Sequence, residues 1–198
     1  MFHSKKTTMK TTQLFIPVIT SCLLFLASCA NDPCESSLCM NGGTCLDGSC
    51  LCSDKYTGAD CSEQSTPEKI RIRTIQLTRF PGMNNGELWD ATNGPDLYFR
   101  LFEGDQAIAQ PIIAFDDANE TQSYYFFIDI IDLRNVLTEH TIQLRDYDAE
   151  DDDDIMGEVK FIPYYTTNGF PSKIVVDNGG SIAFTMEIDY IYNGQAAL

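Results

Sequence analysis

All eight cysteines of this 198-residue chain lie between Cys22 and Cys61, and none follows. That asymmetry limits what the chain can become. A stretch this short and this rich in cysteine cannot bury an adequate apolar core, and in an oxidising compartment it is stapled by disulfides instead. The remainder has to fold on hydrophobic burial alone. The polar, proline-containing segment Ser62-Glu63-Gln64-Ser65-Thr66-Pro67 marks the boundary between the two regimes.

Residues 1–28 explain why the compartment is oxidising. Lys5, Lys6 and Lys10 form a basic start, and Leu14 to Ala27 form an apolar stretch too short to span a bilayer comfortably. This is the pattern of an export signal. It ends on Leu26-Ala27-Ser28-Cys29, which resembles the lipobox of bacterial lipoproteins. The resemblance implies that Cys29 becomes the first mature residue and carries lipid, so that residues 29–33 form a lipidated N-terminus. Several acyl chains would hold the protein firmly at a membrane. The implied location is the outer membrane or cell surface of a Gram-negative bacterium.

With Cys22 removed and Cys29 lipidated, Cys34, Cys39, Cys45, Cys50, Cys52 and Cys61 remain. An even set implies a disulfide framework, and spacing alone leaves its pairing open. The order Cys-x4-Cys-x5-Cys-x4-Cys-x-Cys-x8-Cys, with Asn-Gly-Gly-Thr-Cys at 41–45 and with Tyr56 and Gly58 before Cys61, resembles an EGF-like domain over residues 34–61. That resemblance implies the pairs Cys34–Cys45, Cys39–Cys50 and Cys52–Cys61. Zinc is disfavoured, since no histidine lies in the module. The acidic motif of calcium-binding EGF modules is also missing.

Residues 62–68 read as a linker, 69–193 as a second domain and 194–198 as a tail. In the second domain the hydrophobic period is two. Ile182, Phe184, Met186, Ile188 and Tyr190 alternate with Ala183, Thr185, Glu187 and Asp189, as in a half-buried strand. Ile70 and Ile72 alternate, then the phase slips at Ile75 and Leu77, which predicts a bulge. Ser123 to Ile131 is continuously apolar and predicts a strand buried on both faces. Further strands are predicted at 96–102, 108–115, 138–145, 156–162 and 172–176. Eight short strands separated by Gly, Pro, Asn and Asp turns predict an antiparallel β-sandwich, so the whole chain is expected to be mainly β.

The chain carries a net charge of −16, which disfavours nucleic acid as a partner. Seven carboxylates crowd positions 146–154. Asp146 and Asp148 continue the parity of Ile142 and Leu144, so both should point inward across the rim as the strand leaves the sandwich. Asp154 returns just before the next strand. Asp90 and Asp96 stand six apart in a second loop. Hard divalent cations such as calcium need several oxygen ligands converging from more than one loop, and these five carboxylates are placed to converge. Glu150, Asp152 and Asp153 are surplus to this pattern of strand phase and loop spacing.

Asp-x5-Asp-x-Tyr at 90–98, followed by Asp-x-Asp-x5-Asp-Ile-Met-Gly-Glu at 146–158, resembles a calcium-dependent C2 domain. The resemblance implies Ca2+ held by Asp90, Asp96, Asp146, Asp148 and Asp154, with Asp151 as an auxiliary ligand and the backbone carbonyls of Trp89 and Tyr147 completing the shell. The domain opens on the strand before the first loop and adds a strand at its end, which points to type II topology.

Many C2 domains bridge to anionic phospholipid through calcium. Here the tip Ala149-Glu150-Asp151-Asp152-Asp153 is acidic, and the strand that carries lysines in some members of the family has no base. The expected role is therefore a membrane-anchored, calcium-binding adhesion module for a protein or glycan. Calcium-dependent phospholipid docking is the alternative. A metal-dependent hydrolase is disfavoured: no nucleophile, zinc or phosphate-loop motif is present, and His140, the one histidine after the signal, is expected to be exposed.

Overall fold

The computed structural model describes residues 32–90, 93–111, 115–148 and 152–192. The export segment 1–28, Cys29, Asp151 and the tail 194–198 lie outside the described residues.

The cysteine-rich module holds two small hairpins. Strands β1 (Thr44–Leu46) and β2 (Ser49–Leu51) pair through an Asp47-Gly48 turn, and β3 (Tyr56–Thr57) pairs with β4 (Glu63–Gln64). Both turn residues have positive φ, 49° and 83°, as a tight hairpin turn demands. Between residues 32 and 61 only Cys61 is buried. The module is therefore held by its disulfides, Cys34–Cys45, Cys39–Cys50 and Cys52–Cys61. These are the pairs the EGF-like resemblance implies. Closing loops this short stabilises a chain by about 3 kcal/mol each.

The expected linker is only partly a linker, because Glu63 and Gln64 complete the module's second hairpin. Ser65 then accepts the Tyr164 hydroxyl at 2.8 Å, and its own N–H donates to Lys55 at 2.9 Å. The Phe170 ring takes Tyr56 edge-on at 5.6 Å and lies beneath the Lys55 ammonium at 5.5 Å. The module is thus seated against the sandwich through Tyr164 and Phe170.

From Lys69 onward the chain is a two-sheet antiparallel sandwich. One sheet holds β6 (Leu97–Glu103), β7 (Gln106–Ala109), β10 (His140–Asp146) and β11 (Ile155–Phe161), in the order β11-β10-β6-β7. The other holds β5 (Lys69–Arg79), β8 (Tyr124–Phe126), β9 (Ile131–Leu133), β12 (Lys173–Asp177) and β13 (Ala183–Ile191). Its order is β12-β13-β5-β8, with β9 continuing β8 along β5. Counting β8 and β9 as one interrupted strand gives eight. The domain opens on β5, which leads into the Asp90 loop, and closes on β13 paired to it, the feature expected of type II topology.

Period-two patterning explains the core. Ile70, Ile72, Ile75 and Leu77 face Leu97, Phe99, Leu101, Ile142 and Leu144 across the sandwich, all of them fully buried. Each such side chain contributes about 1.5–3 kcal/mol on leaving water. The phase slip in β5 is a bulge: Ile72 pairs with Ile188 but Thr74 with Glu187, which leaves Arg73 unmatched.

Two expectations fail. Ser123 to Ile131 is not buried on both faces. It forms the edge of its sheet, with Phe126 and Ile131 inside but Phe127 88% and Ile130 71% exposed. The reason is register. Ile131 pairs with Ile72 and Phe126 with Ile75, so four residues lie opposite two and the excess bulges outward. His140 is not exposed but completely buried, with its Nδ1 3.0 Å from the Thr138 carbonyl. It shares the inward parity of Ile142 and Leu144.

Candidate functional site

Antiparallel pairing sets one end of the sandwich. Asp146 at the end of β10 lies opposite Leu97 at the start of β6, and His140 lies opposite Glu103. Leu97 bridges to Phe115, Phe115 packs on Tyr124, and Tyr124 packs on Phe80 just beyond β5. Three loops therefore meet at this end through their described residues: 80–90 with 93–96, 115–118, and 146–148 with 152–154. The cysteine-rich module enters at Lys69, the other end of β5.

Asp146 is the centre of the loop cluster. It is 1% exposed, and its Oδ1 accepts the Asp96 N–H at 2.6 Å. The Asp96 carboxylate in turn accepts the Asp117 N–H at 2.9 Å, and the Asp96 carbonyl accepts the Tyr147 N–H at 2.9 Å. Burial first, then the charges of Asp90, Asp148 and Asp96, push the Asp146 carboxyl up to about 7, although the Asp96 N–H pulls the other way. The Asp90 carboxyl is also raised, by burial and then by Asp96, Asp148 and Asp117. Its Oδ2 is buried and meets no hydrogen-bond donor among the described residues. A buried carboxylate oxygen without a donor is costly unless something positive approaches it.

Four of the residues singled out from sequence are thus brought together: Asp96 and Asp148 act on both Asp146 and Asp90, and Asp90 acts on Asp146. Asp154 is placed differently. Its carbonyl accepts the Asp146 N–H at 2.9 Å and closes the loop base, while its side chain is exposed and absent from the carboxylates acting on Asp146 and Asp90. Trp89 donates its indole N–H to the Pro81 carbonyl at 2.8 Å and packs on the core. The Tyr147 side chain is half exposed. No group of three His, Cys, Asp or Glu side chains among the described residues is already gathered to hold a metal ion.

The sequence missed three contributors. Asp117 comes from the loop between the sheets, where its positive φ of 52° turns the chain so that its N–H meets Asp96. Asp153, counted as surplus, receives the Tyr98 hydroxyl and the Asp148 N–H. Tyr98 itself is 7% exposed. An aromatic hydroxyl two residues after Asp96, on the outward parity of its strand, was the available signal.

Beside the cluster, residues 81–89 form a small projection. Asn84 and Glu87 exchange backbone hydrogen bonds around Asn85-Gly86, both at positive φ. The turn leaves Met83 57% and Leu88 49% exposed.

No family model matches the chain. Lactadherin of Mus musculus and of Rattus norvegicus are each 47% identical to it over 47 residues. That stretch is 21% of this chain, and the chain spans only about a tenth of the length of these curated relatives. Among solved structures it is similar to a C2 domain at 12% identity and a TM-score of 0.39, over 61% of this chain and 96% of that one. A C2 domain of plant extended synaptotagmin 1 is 10% identical at a TM-score of 0.39, over 66% of this chain and all of that one. A C2 domain protein from Ramazzottius varieornatus is 13% identical at 0.39, over 67% and 95%. Likenesses at this level carry no weight for function, and the fold stands on the strand order above.

Proposed function

We propose that the sandwich is a C2-type binding module whose acidic loops take up Ca2+, carried on a lipid-anchored, exported chain, and that its partner is a protein or glycan. The observation that carries the metal reading is Asp90 Oδ2, a buried carboxylate oxygen with no donor among the described residues, in a cluster where burial and then neighbouring carboxylates raise the pKa of Asp90 and Asp146. An all-oxygen donor set of this kind suits a hard divalent cation. Asp90, Asp96, Asp146 and Asp148 would hold the ion, with Asp154, Asp151 and the carbonyls of Trp89 and Tyr147 as further donors. Bound calcium would supply positive charge that neutralises the cluster and draws its loops together.

Two features support the choice of partner. The loops lie at the end of the sandwich away from the cysteine-rich module, so anchoring through Cys29 would leave them facing outward. Their rim is acidic, with Asp152 and Asp154 exposed, and would oppose an anionic bilayer. A non-catalytic role fits as well. His140, the one histidine among the described residues, is buried at the start of β10, six residues and about 20 Å from Asp146. Phospholipid docking is the second reading, and Met83 and Leu88 favour it as apolar side chains exposed beside Asp90.

Thermal melts against CaCl2 concentration test the metal: a rising midpoint is expected, and no shift would overturn the site. Co-sedimentation of the unlipidated protein with phosphatidylserine vesicles tests the partner. Calcium-dependent pelleting would replace the protein or glycan reading with the phospholipid one.

A further inference from the structure

Asp152, Asp153 and Asp154 are chemically identical neighbours, yet the fold treats one of them apart. Asp152 and Asp154 are exposed. Asp153 is gripped on three sides. Its Oδ2 accepts the hydroxyl of Tyr98 from β6, its Oδ1 accepts the N–H of Asp148 at 3.3 Å, and its carbonyl accepts the Arg145 guanidinium at 2.9 Å. Asp148 lies on the arm leaving β10 and Asp153 on the arm returning to β11, so a single carboxylate ties the two arms together. Tyr98 then fastens that tie to the strand that begins immediately after Asp96. The tyrosine cannot easily swing away: its ring is 7% exposed, and the Arg100 guanidinium lies 5.8 Å from its centroid.

The geometry points to Tyr98 and Asp153 as a positioning pair for the calcium site, a reading that rests on the function proposed above. Asp153 is held back from ligation by its own hydrogen bonds. What it does is fix the backbone at Asp148 relative to Asp96 and Asp146. A loop of crowded carboxylates repels itself open, and uptake of an ion then has to order it, which weakens binding. A loop already clasped at its waist loses less freedom. Groups that orient ligands without touching the metal commonly account for about 10–100-fold in affinity.

The test is calorimetric titration of CaCl2 into the purified protein, compared across Tyr98→Phe, Asp153→Asn, the double variant and Asp152→Asn. Tyr98→Phe removes one hydroxyl and keeps the ring over which Arg100 sits. It should weaken calcium binding about tenfold or more, with the metal-free melting temperature little changed. Asp153→Asn should do the same, and the double variant should be no weaker than the worse single one, because both break one tie. Asp152→Asn removes the same charge from the same loop and should stay within about twofold of wild type, since exposed charges interact weakly. Affinity unchanged in Tyr98→Phe, or strictly additive losses, would overturn the pairing. If the wild type itself takes up no calcium, the proposed function fails and the tie is still measurable. Amide exchange at Asp148 in metal-free protein should then quicken in Tyr98→Phe, and unchanged exchange would overturn it.

Discussion

Replacing Asp146 with Asn should make the metal-free protein more stable, although it removes a group at the heart of the site. The carboxyl is 1% exposed and lifted from an ordinary 3.8 to about 7. Each unit of such a shift corresponds to about 1.36 kcal/mol, so ionising Asp146 in the folded state costs about 4 kcal/mol. The sign follows from proton counting. Between pH 4 and 7 the folded chain holds a proton that the unfolded chain has lost, so stability falls as pH rises through that window, and the full penalty is present above it. Asn keeps the oxygen that accepts the Asp96 N–H at 2.6 Å but carries no charge. The value of about 7 already includes the pull of the Asp96 N–H on the charged form, so the neutral variant should gain about 4 kcal/mol at most. For a chain of this size that is a rise on the order of 10 °C in melting temperature. Melts in EDTA at pH 7.5 and at pH 4.5 read it: the variant should melt higher at pH 7.5, and the difference should shrink to about 1 kcal/mol at pH 4.5. With calcium the order should reverse, because wild type gains stability from binding and the variant does not. A variant that melts below wild type in EDTA at pH 7.5 would refute the account of Asp146 as a buried, repelled charge.

The edge strand gives a paired prediction. Phe126→Ala should cost about 3 kcal/mol or more in denaturant unfolding, and Phe127→Ala less than about 0.5 kcal/mol, since Phe126 is 4% and Phe127 88% exposed; the opposite order would put the strand in the other phase. Asp132 bonds to Arg71 and Lys69, and those bonds, the Arg71 ones first, hold its carboxyl down at about 2 despite partial burial. Its stabilisation is present above pH 4 and lost as pH falls towards 2, so Asp132→Asn should lower stability by about 2 kcal/mol at most at pH 6 and by nothing at pH 2; equal losses at both would exclude the ion pairs as the cause. Gly157 has φ +154°, and a Cβ there would lie 2.4 Å from Ile182 Cδ1, so Gly157→Ala should destabilise by about 1–3 kcal/mol in the same unfolding assay.

What could be read from sequence and what could not divides along one physical line. Local phase was legible. The alternation that buries Phe184, Met186 and Ile188 also carries Asp146 inward behind Ile142 and Leu144, and the slip between Ile72 and Ile75 is a bulge in the fold. His140 obeys the same rule: it shares the parity of Ile142 and Leu144 and is buried with them, polar side chain included. Closure between distant segments was not legible. Nothing local tells Phe127 that β5 offers two residues where its own strand brings four, so an unbroken apolar run reads as buried when part of it is expelled. Nor does anything in Asp116-Asp117-Ala118 announce that a positive φ will set an N–H against Asp96, or that the hydroxyl of Tyr98 will select Asp153 from a row of identical neighbours. A cation site between loops is such a closure. Strand ends fix the direction of Asp146 and Asp148, but the separation of the carboxylates depends on which backbone groups the loops can exchange. At the proposed site, residues outside the aspartate pattern, such as Asp117 and Asp153, therefore help to set the spacing an ion would meet.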